Sequence, residues 1–210
     1  MRLYLSSYRL GDEPERLTAL LRTPRPAAVV ANAVDMLPAD LRAEGVAGEV
    51  TALAGLGLTA EEVDLRAYFG QAERLAADLE RYELVWFRGG NTFVLRAALA
   101  LSGGDRVLAD LVRADTVVWG GYSAGCCVLA PSLRGIEQVD DPGAVLGCYG
   151  TEPVWDGLGL VEYAIVPHYR SGHPESAAVE LLAARYRTEE TAHRTLRDGE
   201  AIVVGDGRAR

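Results

Sequence analysis

Several things are scarce in this chain, and each scarcity closes off a class of function. Cysteine is one: only Cys126, Cys127 and Cys148 occur in 210 residues. The count is odd and two are adjacent, so no disulfide framework is expected, and no C-x-x-C pair with metal-site spacing is present. A reducing compartment is the simplest reading. Long apolar runs are also lacking. No stretch approaches the roughly 20 residues of a membrane span, and Met1-Arg2-Leu3-Tyr4-Leu5 lacks the apolar run and small-residue cleavage site of a signal peptide. The expected location is therefore cytoplasmic. Basic residues are outnumbered, 21 against 30 acidic, for a formal charge of −9. A general nucleic-acid binder needs a basic surface, as does a protein that docks on anionic lipid. Neither is expected here, although a local basic pocket for a small acidic substrate is compatible with the balance. Histidine is the last scarcity: only His168, His173 and His193 could act as an imidazole base.

What is present is ordinary globular composition, 49% apolar and 24% charged, with no repeat or linker. That suits one domain over residues 1–210 with a substantial core. Apolar runs alternate with amphipathic stretches, which predicts an α/β fold with a mainly parallel sheet. Expected strands are Leu3–Tyr8, Ala27–Ala31, Glu62–Leu65, Leu84–Phe87, Thr116–Trp119 and Tyr163–Val166. Expected helices are Glu13–Leu21, Leu37–Glu44, Gln71–Arg81 and Ala177–Tyr186. Glu200–Val204, followed by Gly205-Asp206-Gly207, reads as a terminal hairpin arm. Gly90, Ser123 and His168 all fall at carboxyl ends of expected strands, where ligands sit in open α/β sheets.

Gly121-Tyr122-Ser123-Ala124-Gly125 is a G-x-S-x-G match. A serine on a sharp strand-to-helix turn is exposed over the sheet, and flanking glycines make room for the turn. The next backbone N–H, of Ala124, can face a developing oxyanion. The plain alternative is a capping serine in an ordinary turn. A hydroxyl needs a base, and His168 is the histidine placed to meet Ser123. His173 lies in a polar loop, and His193 reads as a surface residue. Gly89-Gly90-Asn91-Thr92 is a second glycine turn whose N–H groups could complete an oxyanion hole. Asn91 or Thr92 could equally cap the following helix. Cys126 and Cys127 are expected to pack within the helix after the turn. Tyr122 and Trp155 could line a pocket, with core packing the equal or better account.

Four ordered segments resemble the peptidase E (aspartyl dipeptidase) family of serine peptidases. They are Arg88-Gly89-Gly90-Asn91-Thr92-Phe93-Val94-Leu95, the Ser123 turn, Ala130-Pro131-Ser132-Leu133-Arg134, and Leu158-Gly159-Leu160 through Val166-Pro167-His168-Tyr169. The resemblance implies a three-layer α/β/α sandwich related to class I glutamine amidotransferases, with serine in place of cysteine. It implies that Ser123 attacks a peptide carbonyl, that His168 takes its proton, and that the N–H groups of Gly90 and Ala124 bind the oxyanion. It implies no metal and no organic cofactor. Asn91, Thr92, Tyr122, Arg170 and Glu175 are the expected substrate-binding residues. The expected partner is a small peptide, with no nucleic acid and no membrane, and a homodimer is allowed for.

Two positions depart from the family pattern. Its third triad member is an aspartate shortly after the Pro-x-x-Arg segment, and Gln138 stands at that count. Glutamine cannot supply the carboxylate that stabilises an imidazolium. Glu137 is the favoured replacement, Asp140 the second, and Asp141 is nearby; a Ser–His dyad oriented by a backbone carbonyl is another arrangement. The aspartyl dipeptidases also carry an arginine in a Gly-Glu-Thr-Arg run beyond the histidine. Here Glu175 fits the glutamate but Ala177 stands in the arginine's place, with Arg170 the nearest substitute. Relaxed dipeptidase activity is therefore expected rather than strict aspartate release. The rival readings are an α/β-hydrolase-type esterase, which shares G-x-S-x-G, and a catalytically silent binding domain on the same fold.

Overall fold

A computed structural model describes residues 1–205. In chain order its elements are Arg2–Ser6 (β1), Glu15–Thr18 (α1), Ala27–Val30 (β2), Ala39–Ala54 (α2), Ala60–Glu62 (β3), Ala72–Leu79 (α3), Leu84–Phe87 (β4), Thr92–Ser102 (α4), Gly104–Arg113 (α5), Val118–Tyr122 (β5), Ala124–Cys127 (α6), Ala144–Tyr149 (α7), Ala164–Val166 (β6), Ser176–Thr188 (α8), His193–Thr195 (β7) and Ala201–Val204 (β8). Six strands form the central sheet in the order β3-β2-β4-β5-β1-β8. The first five run parallel, and β8 closes the edge antiparallel to β1.

Strand periodicity sends successive side chains to opposite faces. Leu3 and Leu5 of β1 join Leu75, Leu79, Leu95, Leu99, Leu108 and Val112 on the face covered by α3, α4 and α5. Tyr4 points the other way and meets Leu17, Leu20 and Leu53 under α1 and α2. Helices on both faces of a parallel sheet make the expected α/β layering. The centre is aromatic: the Phe87 and Trp119 rings stack with centroids 3.8 Å apart. A third apolar group joins Phe93 and Val94 of α4 to Val179, Leu182 and Tyr186 of α8.

The strand predictions for β2 and β4 match closely; elsewhere packing changes the outcome. The predicted helix Glu13–Leu21 shortens to α1, because only Leu17 and its neighbours reach the core. The helix predicted over Leu37–Glu44 runs on to Ala54, since burial of Glu49 and Leu53 holds it through Gly45 and Gly48. The predicted strand Glu62–Leu65 shifts forward to β3, and Leu65–Tyr68 instead makes a 3-10 turn capped by Asp64. The Tyr163–Val166 prediction holds for β6, but that strand pairs with β7 in a separate two-stranded sheet. The place beside β1 is taken by β8, which is why Glu200–Val204 is an edge strand and not a hairpin arm. Asp206 and Gly207 of that prediction lie outside the described residues.

Candidate active site

Strands β4 and β5 of the central sheet and β6 of the smaller one each deliver a loop to the same cavity. After β4, Gly89 and Gly90 bend the chain into α4. Gly90 has φ 151°, and a Cβ there would sit 2.4 Å from the Ala33 carbonyl oxygen, so only glycine fits. Asn91 then caps α4: its side chain accepts from the Val94 N–H at 3.0 Å and donates to the Asp141 carbonyl at 2.8 Å. After β5 the chain reaches Ser123 with φ 52° and ψ −115°. That conformation is sterically costly for a residue with a side chain and is stored where surrounding packing over-determines it. Here the close approach of Gly121 supplies the packing: its Cβ position lies 2.7 Å from the Phe87 carbonyl oxygen. Ser123 is half-exposed while the residues on either side of it are buried. Its hydroxyl is thus offered at the apex of the turn.

His168 follows β6, with φ 59°, and is 2% exposed. Its backbone N–H donates to Ser7 Oγ at 2.8 Å, which ties it to the end of β1. Its Nδ1 lies 2.7 Å from Oδ1 of Asp198. The same carboxylate oxygen accepts from the Ser7 hydroxyl at 2.9 Å, and the Asp198 N–H donates to Ser171 Oγ at 2.8 Å. A proton on Nδ1 directed at a carboxylate leaves Nε2 as the free basic nitrogen. Burial lowers the His168 pKa, Asp198 pushes back upward, and the neighbouring His173 lowers it again. The ring is consequently neutral at physiological pH.

Ser123 and His168 line one cavity of about 390 Å³, with Gly89, Gly90, Tyr122 and Glu175 among its other walls. The Gly90 N–H has no hydrogen-bond partner among the described residues. Ala124 is the first residue of α6, whose N–H has no intrahelical acceptor. On the cavity floor Glu49 accepts from Tyr122 Oη at 2.7 Å and from Trp86 Nε1 at 2.8 Å, and Arg88 Nε lies 3.6 Å from it.

The acid beside His168 is therefore Asp198. Glu137, favoured from sequence, faces away: it forms a 2.8 Å ion pair with Arg185 of α8 and accepts from the Gly135 N–H. Asp140 accepts from the Thr92 N–H at 2.8 Å at the start of α4, and burial raises its pKa to about 6. Asp141 accepts from the Gly143 N–H in its own turn. Among the expected substrate-binding residues, Tyr122 and Glu175 line the cavity. Asn91 and Thr92 do not: both are buried in the α4 cap and against the 140–141 loop, and Thr92 lines a smaller pocket shared with Ser123, Asp140 and Glu175. Arg170 lies over the Tyr169 ring, 3.9 Å from Glu180 and 59% exposed, and is likewise not on the cavity wall. Cys126 and Cys127 are buried free thiols with raised pKa values, packed as expected. Trp155 packs edge-on against Phe93.

His173 was left open by the sequence, and it stacks on His168 with ring centroids 3.7 Å apart and 11° between planes. His168, His173 and Glu175 are close enough to share an ion. An imidazole binds a metal in its own ring plane, however, and two parallel stacked rings have no common in-plane point between them, so the donor set as arranged does not fit one. Asp198 and Ser7 escaped sequence reasoning. Ser7 carried a usable signal, since it stands at the carboxyl end of a predicted strand. Asp198 carried none: it lies in a turn thirty residues beyond His168 and reaches the site because β7 pairs with β6 and Leu196 continues that pairing to Val166 and Tyr169.

Comparison with known proteins agrees with this fold. Residues 42–210 match the model of peptidase family S51. An uncharacterized peptidase of Listeria innocua is 28% identical over 155 residues, covering 74% of this chain and 70% of that protein. Peptidase E of Streptomyces coelicolor is 34% identical over 116 residues, covering 54% of this chain and 43% of that protein. Among solved structures, a Listeria monocytogenes protein described as a candidate peptidase E superposes with a TM-score of 0.78 at 22% identity, over 97% of this chain and 93% of that one. A peptidase from an acI-B1 actinobacterium gives 0.65 at 13% identity, over 97% and 82%. The chain belongs to peptidase family S51 and is a peptidase.

Proposed function

We propose that the protein is a serine peptidase that releases the N-terminal residue of small peptides, with Ser123, His168 and Asp198 as its triad. The observation that carries this reading is the strained, half-exposed Ser123 on the same cavity wall as a buried histidine held by a carboxylate at 2.7 Å. His168 Nε2 takes the hydroxyl proton as Ser123 Oγ attacks the scissile carbonyl carbon. The N–H groups of Gly90 and Ala124 hold the oxyanion as it develops. Collapse expels the amine, which collects its proton from His168, and leaves an acyl-serine. Water, deprotonated by the same imidazole, then releases the acid. Asp198 holds the imidazole by its Nδ1 and stabilises the imidazolium. The cavity volume suits a peptide of two or three residues rather than a folded loop. The absence of an arginine at position 177 supports a preference broader than N-terminal aspartate.

The test is hydrolysis of a panel of Xaa-Leu dipeptides by wild type beside Ser123→Ala, with labelling by a neutral fluorophosphonate. Cleavage and labelling that both vanish in the variant support the mechanism. Undiminished cleavage by Ser123→Ala removes it.

A further inference from the structure

Arg9 enters the cavity wall from the loop after β1. Its backbone holds φ 50°, a conformation L side chains adopt rarely. The guanidinium lies 5.2 Å from the centroid of the Tyr8 ring. That ring in turn meets His168 edge-on at 5.8 Å, His173 at 5.5 Å and Tyr122 at 6.1 Å. Tyr8 is thus a shelf with the imidazole of His168 on one side and a cation on the other. In a dipeptide the scissile carbonyl and the terminal carboxyl are one residue apart, about 3.8 Å between successive Cα atoms. Arg9, Ser123 and His168 line one cavity, so a peptide seated with its carbonyl at Ser123 would share that cavity with the guanidinium.

Charge accounting sets Arg9 apart from Arg88, the other arginine of the cavity. Arg9 is exposed, whereas the buried arginines of this acidic chain are committed to carboxylates: Arg2 to Glu83 and Asp115, Arg42 to Asp35, Arg96 to Asp105. Arg88, the other cation on the cavity wall, lies against Glu49 and donates to the Gly89 carbonyl. Arg9 has no carboxylate within ion-pair distance among the described residues. A guanidinium presents a planar fork matched to a carboxylate, and this one is left without such a partner beside the nucleophile. We infer that Arg9 binds a carboxylate of the substrate. The inference rests on the peptidase reading above, and it gives the cavity an anion receptor from the opposite end of the chain to Ala177. The carboxylate is either the terminal group of a dipeptide or the side chain of an acidic first residue.

Calorimetric binding to Ser123→Ala, which can hold a peptide without turning it over, separates these sources. The ligands are Ala-Leu, Ala-Leu amide, Asp-Leu amide and Asn-Leu amide, each measured again on Ser123→Ala/Arg9→Ala. A charge-assisted fork corresponds to a carboxylate ligand binding about 10- to 100-fold tighter than its neutral counterpart. That advantage is expected to collapse in the double variant while the melting temperature stays the same. An advantage confined to Ala-Leu over its amide identifies the terminal carboxylate, and one confined to Asp over Asn identifies the side chain; either supports the inference. Equal affinities within both pairs, a preference that survives Arg9→Ala, or no binding of any ligand overturns it. Failure of the peptidase reading would show separately, as wild type that neither cleaves peptides nor reacts with the fluorophosphonate.

Discussion

The two ends of the parallel sheet treat charge and backbone in opposite ways. At the amino ends of the strands, Arg2 lies buried against Glu83 at 2.7 Å and Asp115 at 3.0 Å, and Arg22 and Arg25 complete the pairing. Glu83 also accepts from Thr23 and from the Arg22 N–H, and its pKa falls to about 2 through these hydrogen bonds despite its burial. Asp115, which pairs with Arg2 there, has positive φ, and it is of a type that tolerates it. At the carboxyl ends, Arg9, Ser123, His168 and Arg170 all hold positive φ, and the cavity wall carries an imidazole with a lowered pKa and a guanidinium that rests on Tyr8 without a carboxylate partner among the described residues. One end satisfies its groups among themselves, and the other keeps them available. In a family that shares this sheet, stability and chemistry can then be altered at separate ends.

Substitutions at each end sharpen that contrast. The largest effects are expected at Ser123 and His168: Ser123→Ala and His168→Ala should each lower kcat on dipeptides by at least about 10⁴-fold, with melting curves close to wild type. Asp198→Asn should follow at about 10³- to 10⁴-fold in kcat, whereas Glu137→Gln should leave kcat within a factor of two. If Glu137→Gln gives the large loss and Asp198→Asn does not, the assignment of the acid is reversed. At the opposite end Glu83→Ala should strip Arg2 of a buried partner and cost about 3–5 kcal/mol in urea unfolding, with kcat of the folded fraction retained. Smallest is the pH effect. The lowered His168 pKa means that kcat/KM should hold on the acid side of 6.5 and fall only as pH drops through the depressed value; a midpoint at or above 6.5 would contradict the burial argument. Asp198→Asn should move this midpoint lower still, since the carboxylate is what raises it.

The same division explains what the sequence could reveal. Strands β2 and β4, and the serine turn, are written locally, in apolar runs ending at glycines, and were read to within a residue or two. The base was legible because histidine is rare and His168 sits at a strand end. The acid was not, because carboxylates are abundant and the choice among them depends on which loop the pairing of β7 with β6 brings against the histidine. Counting along the chain from Pro131 pointed to the 137–141 region. Its carboxylates turn out to hold α4, α8 and their own turn in place. The commitment of Asn91 and Thr92 to that loop, and of Arg170 to Glu180, likewise follows from contacts across the fold and not from neighbours in sequence. Arg9 was passed over for a related reason: a single arginine after a strand carries no motif.

The place of Asp198 in the chain also has a consequence for timing. A ribosome delivers the serine turn first, the imidazole forty-five residues later and Asp198 thirty residues after that, and the carboxylate then meets Ser7, which follows a strand made at the very start. During synthesis the chain therefore passes through a long interval with a nucleophile but no oriented base. On the triad proposed above, the site is complete only when the last-made segment has packed against the first.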